Sequence, residues 1–568
     1  MDCATAPSPA APRCRGKAAR ALVLSLGWLC ADAACSLNQQ GVDPPADTFF
    51  YPSTAVPDPT STWLYVANSN ADLRYNDGTL VAVDLVNAAA DRAQGSGVLP
   101  AAGGPVLGVS GPTQTWGLCP QEDYVNPLSR SDPQSCCWDL LDANILNCDE
   151  RRYVQSQSTV RIGSFAAGMI WQPYCPDPCN ANCAQPTAPS TSVVQPGQPL
   201  AGRIFVGVRG DTSLTWADVT APVPSGSPPS FVCGQTSNES LAECGGAHRI
   251  ITALGQVLTT EMNDNSAPAV NLPDEPYALR IDPDHGLLYV GHLAGSTATV
   301  DTGGVSLFDV SGTGAGTPLD PAFIAPFPSP FSPNSAGAFG ITALEPHPPL
   351  GQPLGTSNVM FASSRYLPLV ASIGTFGTLP PDPTGCPISN SDVVVEPAGN
   401  SLNPGLVGSE MRGMAFIDPP TPSVPNMTPA PPAAASRVYA LERVPPDLVG
   451  FDIATNGAGT TTAIPTDFSE TCSSPTFLYQ HDAGDGPRLY VNCFDTGEIY
   501  VFDPAVPTLI TTFQIGRGPG GMVFDSVRPL AYVIGFSDNN FSVVDLAPGS
   551  QTQYHVIQRI GFPSVMPR

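Results

Sequence analysis

One short phrase recurs along this chain and limits the folds that it can adopt. Each copy is an apolar strand with an aromatic residue, then a turn, then a second strand that ends on Asp. Two copies, 65–84 and 289–309, have longer turns, and a degenerate seventh copy at 358–374 lacks both the Tyr and the Asp. Seven hairpins of one kind predict a repeat architecture. The aromatic and the Asp are 13 residues apart in four copies: Phe205 and Asp218, Tyr439 and Asp452, Tyr490 and Asp503, and Tyr532 and Asp545.

A third apolar strand precedes these hairpins, and a fourth follows several of them. The third is predicted at 276–286, 411–420 and 519–529, and the fourth at 508–516 and 555–561. The 65 prolines and 54 glycines argue against long helices and suit short strands joined by turns. Four strands in a repeat of 42 residues, the distance from Tyr490 to Tyr532, are typical of a propeller blade. The sequence therefore predicts an all-β fold, a seven-bladed β-propeller over residues 48–568 with a Cys-rich loop insertion.

The closure of the ring can also be predicted. A blade cannot bury both of its faces alone, so neighbouring blades must stack into a ring. The first hairpin has no obvious outer strand before it, whereas the chain ends shortly after the outer-strand segment 555–561. We therefore expect the C-terminal strand to complete the first blade, which would leave no exposed sheet edge at the junction.

The first 34 residues have the layout of an export signal. Four basic residues between Arg13 and Arg20 precede an apolar run, 21–34, that is too short to span a bilayer. Two processing routes are open: residues 31–33 fit an ordinary signal peptidase, and Cys35 follows a diluted lipobox and would carry lipid. Residues 35–47 would then be a flexible tether. We expect export to the periplasm, outer membrane or cell surface, with membrane contact only through a lipid on Cys35.

The charge balance of the chain argues against nucleic acids as partners. Asp and Glu number 49 against 23 Lys and Arg, which gives a net charge of −26. Such a surface repels phosphate backbones, so we expect no nucleic-acid binding. The partner is otherwise an unknown protein or small molecule, held at the channel or at the insertion.

Twelve cysteines follow Cys35, and seven of them lie in the long insertion at about 110–200. Their spacing fits no common zinc pattern, and no histidine lies among them, so we predict disulfides and no metal site. Two pairings stand out. Cys233 and Cys244 bracket a short polar loop, and Cys472 and Cys493 lie on adjacent strands of one hairpin. The partner of Cys386 and the connectivity within the insertion stay open.

Three side chains are candidates for binding a ligand at the central channel. His292 follows an apolar strand and is expected near the channel mouth, while Arg280 and Arg412 lie near the starts of predicted inner strands. The chain contains no HExxH, CxxCH, GxSxG or dinucleotide-binding motif. Catalytic residues are therefore unassigned, and we expect no cofactor.

The phrases YVAN, YVGH and YVNC resemble the YVTN-type repeat of the YncE-like propellers, a family of exported bacterial proteins with seven blades. The resemblance covers residues 48–561 in diluted form. It implies the fold and export, and it implies no single activity, because the repeated residues are strand and turn formers. Related propellers include lactonases and quinoprotein dehydrogenases.

Two kinds of function are consistent with these observations. The polar residues that the sequence offers are scattered, which favours an exported, non-catalytic binding or scaffolding protein at the cell envelope. The alternative is a propeller enzyme, a lactonase-like hydrolase or a quinoprotein-like oxidoreductase, with its site at the channel mouth. Quinoproteins carry docking tryptophans throughout their blades, whereas the tryptophans here all lie in the first half of the chain, which counts against that branch.

Overall fold

A computed structural model describes residues 42–561 of the chain with several gaps. The predicted signal, Cys35 and most of the predicted tether therefore lie outside the described residues, as do Cys175, Cys179, Cys183 and Cys386. The segments left out between 42 and 561 are 96–115, 121–134, 174–201, 221–226, 234–240, 246–247, 253–268, 271, 283–286, 294–303, 311–321, 328–339, 348–358, 368, 377–393, 398–408, 418–436, 456–460 and 506.

The strands, numbered in chain order, form seven sheets that we call blades 1 to 7, and in each blade the four strands nearest the axis pair antiparallel. The first three blades, each from its innermost strand outwards, are as follows. Blade 1 contains β1 (Pro52–Pro57), β2 (Trp63–Asn68), β3 (Gly78–Asp84), β6 (Val154–Ile162) and β11 (Ala242–Glu243); blade 2 contains β7 (Ala166–Pro173), β8 (Gly202–Val208), β9 (Ser213–Thr220), β12 (Arg249–Thr252) and β13 (Ala269–Val270), with β10 (Ser230–Val232) also on β9; blade 3 contains β14 (Pro276–Asp282), β15 (Leu287–His292), β16 (Val305–Asp309) and β17 (Ala322–Phe327).

The other four blades follow the same order. Blade 4 contains β18 (Ile341–His347), β19 (Val359–Ser364), β20 (Val370–Phe376) and β21 (Val394–Pro397); blade 5 contains β22 (Ser409–Ile417), β23 (Arg437–Val444), β24 (Asp447–Thr455) and β25 (Thr461–Glu470); blade 6 contains β26 (Pro475–Asp482), β27 (Pro487–Cys493), β28 (Glu498–Asp503) and β29 (Thr508–Gln514); blade 7 contains β30 (Pro519–Phe524), β31 (Leu530–Gly535), β32 (Asn540–Asp545), β33 (His555–Ile560), β5 (Leu146–Cys148) and β4 (Cys136–Trp138).

The repeated hairpin is the second and third strand of every blade, as the sequence predicts. The aromatic residue of each copy is buried and packs between neighbouring blades, which is why the phrase recurs. The degenerate copy at 358–374 forms β19 and β20, with Phe361 in the aromatic position. Apolar side chains that alternate along each strand fill the space between blades, because both faces of a blade are buried in the ring.

The seven innermost strands contact one another in order around the axis, and β30 contacts β1, so the ring is closed. The predicted route of closure is wrong. β33 pairs with β32 inside blade 7, and blade 1 takes its own fourth strand, β6, from within the stretch predicted as an insertion. Blades 1 and 7 are joined instead by a shared apolar cluster that includes Leu64 and Tyr532.

Within the stretch predicted as a Cys-rich insertion, β6 and β7 are strands of blades 1 and 2, whereas the β4–β5 hairpin lies on the outer edge of blade 7. The β4–β5 hairpin carries two disulfides, Cys119–Cys137 and Cys136–Cys148, and β5 pairs in parallel with β33. A helix, α1 (Leu85–Gly95), follows β3 directly, and its Ala88 carbonyl accepts a hydrogen bond from Gln558 of β33 at 3.2 Å. The helix α1, which follows the third strand of blade 1, therefore links blade 1 to the outer strand of blade 7.

A similar contact joins blades 1 and 2. The two-residue strand β11 comes from the chain after β9 and pairs in parallel with β6 of blade 1. The disulfide Cys233–Cys244 closes this segment, and Cys472–Cys493 links the start of blade 6 to its second strand. Both are pairings that the sequence predicts.

Candidate functional site

A repeated backbone feature brings polar side chains together at one end of the ring. In six blades, the residue at or just before the start of the innermost strand has a left-handed φ between 50° and 66°, a conformation that non-glycine residues adopt rarely. These residues are Tyr51, Phe165, Glu275, Glu410, Ser474 and Gly518. In five of these blades its carbonyl accepts the N–H of the residue that follows the second strand, for example Arg209 N to Phe165 O at 3.1 Å. We call this end of the ring the mouth.

Neighbouring blades are also joined at the mouth. Phe165 of blade 2 donates its N–H to Ser69 O of blade 1, and Glu410 of blade 5 donates to Arg365 O of blade 4, at 2.6 and 2.7 Å. Tyr51 N donates to Asn539 Oδ1 of blade 7 at 2.6 Å. The side chains of different blades are therefore held in fixed relative positions at this end of the ring.

Four arginines from blades 2, 4 and 5 lie at the mouth. Glu410 is shared by three of them: its carboxylate is 3.7 Å from Arg365 Nε, 3.4 Å from Arg412 Nη2 and 3.8 Å from Arg443 Nη1. The fourth, Arg209, is 3.3 Å from Glu275. These contacts, which define the arginine cluster, pair four guanidinium groups with two carboxylates, in a chain whose net charge is −26.

The arginine cluster has more donors than the protein satisfies. The Nε atoms of Arg209, Arg365 and Arg412 are buried and have no hydrogen-bond acceptor among the described residues. The Arg412 side chain is only 10% exposed. Burial lowers the pKa of Arg412, and repulsion by Arg365 and Arg443 adds to this, whereas Glu410 opposes it. A buried donor without an acceptor is costly, so an anion that accepts from these atoms would be bound favourably.

Deeper in the channel, the innermost strands contribute a second polar group. Arg280 donates to Glu345 Oε1 at 2.6 Å and to the Leu344 carbonyl at 2.9 Å, which joins β14 to β18. Tyr277 lies within electrostatic range of Arg209, Arg365 and Arg412: burial raises its pKa, and the three positive charges oppose that rise.

The structure separates the three predicted ligand-binding residues. Arg412 belongs to the arginine cluster and Arg280 to the channel interior. His292 is 0% exposed, its Nε2 is 2.9 Å from Ser306 Oγ, and burial lowers its pKa to about 3, so the imidazole is neutral inside blade 3. Its position is explained by strand alternation, because the side chain at the end of β15 turns into the sheet packing.

Three residues of the cluster were missed by the sequence reasoning, although a signal for them exists. The fourth residue after the aromatic of each repeat follows or ends the second strand, and this position lies at the mouth in every blade. When the seven copies are aligned at the aromatic, this position reads Ser69, Arg209, Leu293, Arg365, Arg443, Phe494 and Phe536. Three arginines at one repeat position stand out in a chain with 23 basic residues.

No family model matches this chain, and no curated protein matches it. Solved structures similar to it include the hydrazine synthase of Kuenenia stuttgartiensis, with a TM-score of 0.38 and 11% identity over 90% of this chain and 98% of that one. The periplasmic gluconolactonase of Pseudomonas aeruginosa has a TM-score of 0.36 and 15% identity, covering 64% and 84%. A putative 6-phosphogluconolactonase of Bacteroides fragilis has 0.35 and 8%, covering 70% and 97%. Membership of the YncE-like family therefore stays a prediction.

The described residues contain neither a membrane-spanning helix nor a metal site. No helix in them is long and apolar enough to cross a membrane. No group of three or more His, Cys, Asp or Glu side chains in the same part of the chain is arranged to hold a metal ion.

Proposed function

We propose that this protein is an exported, non-catalytic binding protein of the YncE-like type whose mouth holds an anionic ligand through Arg209, Arg365, Arg412 and Arg443. The observation that carries the proposal is the set of buried Nε donors without acceptors in the described residues. Guanidinium groups bind carboxylate and phosphate through paired, charge-assisted hydrogen bonds. An anion would supply the acceptors that Glu410, shared among three arginines, does not.

The positions of the arginines support a binding site over a structural ion-pair network. Arg209, Arg365 and Arg443 occupy one repeat position in three blades, so the ring fixes the relative positions of their backbones at the mouth. Preorganised donors lose little freedom when a ligand binds, which favours affinity. The ring thus keeps the Nε donors of Arg209 and Arg365 in place without acceptors among the described residues, which costs free energy, and a bound anion would offset that cost.

Export is supported by the disulfides. Four disulfides join cysteines among the described residues, and such bonds persist in oxidising compartments. The basic and apolar N-terminal segment and Cys35 fit secretion with or without a lipid anchor. We place the protein in the periplasm, at the outer membrane or at the cell surface.

Titration calorimetry with citrate as the probe tests the proposed function. Wild-type protein should bind citrate, and Arg412→Gln should weaken binding by roughly tenfold or more, because one charge-assisted contact is lost. Arg437→Gln is the matched control, since Arg437 starts the same strand β23 that ends near Arg443 and pairs with Asp452 at the other end of the blade. Equal affinity of all three proteins, or no binding to wild type, would overturn the proposal. Conversion of the ligand, followed by NMR in the same samples, would instead favour the enzyme alternative.

A further inference from the structure

The other side of the mouth is aromatic. Phe494 of blade 6 and Phe536 of blade 7 occupy the repeat position that holds arginine in blades 2, 4 and 5. Their ring centroids are 6.2 Å apart, and the Tyr51 ring of blade 1 is 5.4 Å from that of Phe536. All three side chains are half-buried. This aromatic row crosses three consecutive blades beside the arginine cluster.

The aromatic row is held by the backbone that forms the mouth. Phe494 N donates to Ser474 O at 3.2 Å, and Phe536 N donates to Gly518 O at 3.0 Å. Gly518 has a φ of 64°, and a Cβ built on it would be 3.1 Å from the Phe494 ring, so the ring lies directly on the glycine. These contacts leave the rings fixed and partly open to solvent.

Ser474 connects the two sides of the mouth. Arg443 Nη2 of blade 5 is 3.5 Å from Ser474 Oγ, and the carbonyl of the same serine accepts Phe494 N. The guanidinium group at one end of the arginine cluster and the ring at one end of the aromatic row are thus anchored on one residue.

We propose, on the basis of the function proposed above, that the ligand of the mouth is an aromatic anion. Its acid group would accept hydrogen bonds from Arg412 and Arg443, and its planar ring would pack on Phe494 and Phe536. Aromatic rings pair in offset or edge-to-face arrangements that stabilise them beyond simple burial. An anion without a ring would use only half of this surface.

Three probes separate the contribution of the ring from that of the charge. 2-Naphthoate has both features, cyclohexanecarboxylate has the charge and a non-planar apolar ring, and citrate has charge alone. Wild-type protein should bind 2-naphthoate more tightly than cyclohexanecarboxylate. Phe494→Leu, which keeps apolar volume but removes the planar face, should weaken 2-naphthoate binding by roughly three- to tenfold and leave citrate binding within about twofold. Arg412→Gln should weaken both.

Phe536→Leu is the second variant, and circular dichroism with thermal melting shows whether each variant is folded. Saturation-transfer NMR on the wild-type protein gives an independent measurement, since the naphthyl protons should receive more saturation than those of cyclohexanecarboxylate. The aromatic-anion proposal is wrong if both Leu variants bind 2-naphthoate as the wild type does, or if wild type binds citrate but not 2-naphthoate. The proposed function still stands in that case when citrate binding depends on Arg412. If the wild-type protein binds neither citrate nor 2-naphthoate, both the proposed function and the aromatic-anion proposal are wrong.

Discussion

The buried carboxyl group of Glu442 should make the protein less stable as the pH rises. Glu442 lies on β23 opposite Met411, is 2% exposed, and its Oε1 atom has no hydrogen-bond partner in the described residues. Burial, with a smaller contribution from the charge of Asp447, raises its pKa from 4.5 to about 7. The folded protein thus binds this proton more tightly than the unfolded chain does. The stability that this proton gives is complete below pH 4.5 and is lost as the pH rises through 7.

The size of the effect follows from the pKa difference. One pKa unit is equivalent to about 1.4 kcal/mol, so ionising Glu442 in the folded state costs about 3 kcal/mol at pH 8 and about 1 kcal/mol at pH 5. Glu442→Gln has a similar shape and no charge at either pH. The free energy of unfolding of this variant, relative to wild type, should therefore rise by about 2 kcal/mol between pH 5 and pH 8.

Urea unfolding of both proteins at the two pH values measures this difference. Glu498→Gln on β28 serves as the control for removal of a carboxylate, because the Glu498 side chain accepts a hydrogen bond from the exposed Gln514 side chain, at 2.9 Å. If the difference in the free energy of unfolding between Glu442→Gln and wild type is the same at pH 5 and pH 8, ionisation of Glu442 does not destabilise the folded protein. The reasoning from its burial is then refuted.

Two further changes should lower stability for separate reasons. Gly497 and Gly549 have almost the same φ, 76° and 75°, but a Cβ on Gly497 would be 2.1 Å from the Gly516 carbonyl oxygen, and a Cβ on Gly549 would meet nothing within 4 Å. Gly497→Ala should therefore lower the free energy of unfolding by at least about 1 kcal/mol more than Gly549→Ala, and equal losses in urea unfolding would contradict the clash. Asp525→Ala removes the acceptor of the buried Tyr532 hydroxyl, at 2.6 Å, and should cost about 3 kcal/mol in the same assay, whereas a loss below about 1 kcal/mol would show that solvent replaces the carboxylate.

The repeat carried enough information to predict the seven blades, because its aromatic residue is buried between blades in every copy. The sequence did not specify which neighbour an outer strand joins. The spacing before the first hairpin suggested that 555–561 completes blade 1. Blade 1 instead takes its fourth strand from the stretch predicted as an insertion, since β3 ends at Asp84 and β6 begins at Val154. Local pattern predicts strands better than it predicts long-range pairing.

The site was predicted only in part for a related reason. Arg412 and Arg280 were identified because basic residues are rare, whereas His292 was expected at the channel and lies inside blade 3. His292 is the third residue after its repeat aromatic and Arg443 is the fourth, and successive residues of a strand point to opposite faces. A shift of one position therefore separates a buried imidazole from a guanidinium group at the mouth.

The parallel pairing of β5 with β33 has a consequence for the order in which the ring forms. Cys148 and Gln558, which meet at this pairing, are 410 residues apart in the chain. During synthesis, the edge of the β4–β5 hairpin that pairs with β33 has no partner until nearly all the other blades exist, and contacts of such long range form late. The disulfide Cys136–Cys148 spans 12 residues and can form long before then. Early formation of this disulfide would fix the β4–β5 hairpin in shape before β33 is available to pair with β5.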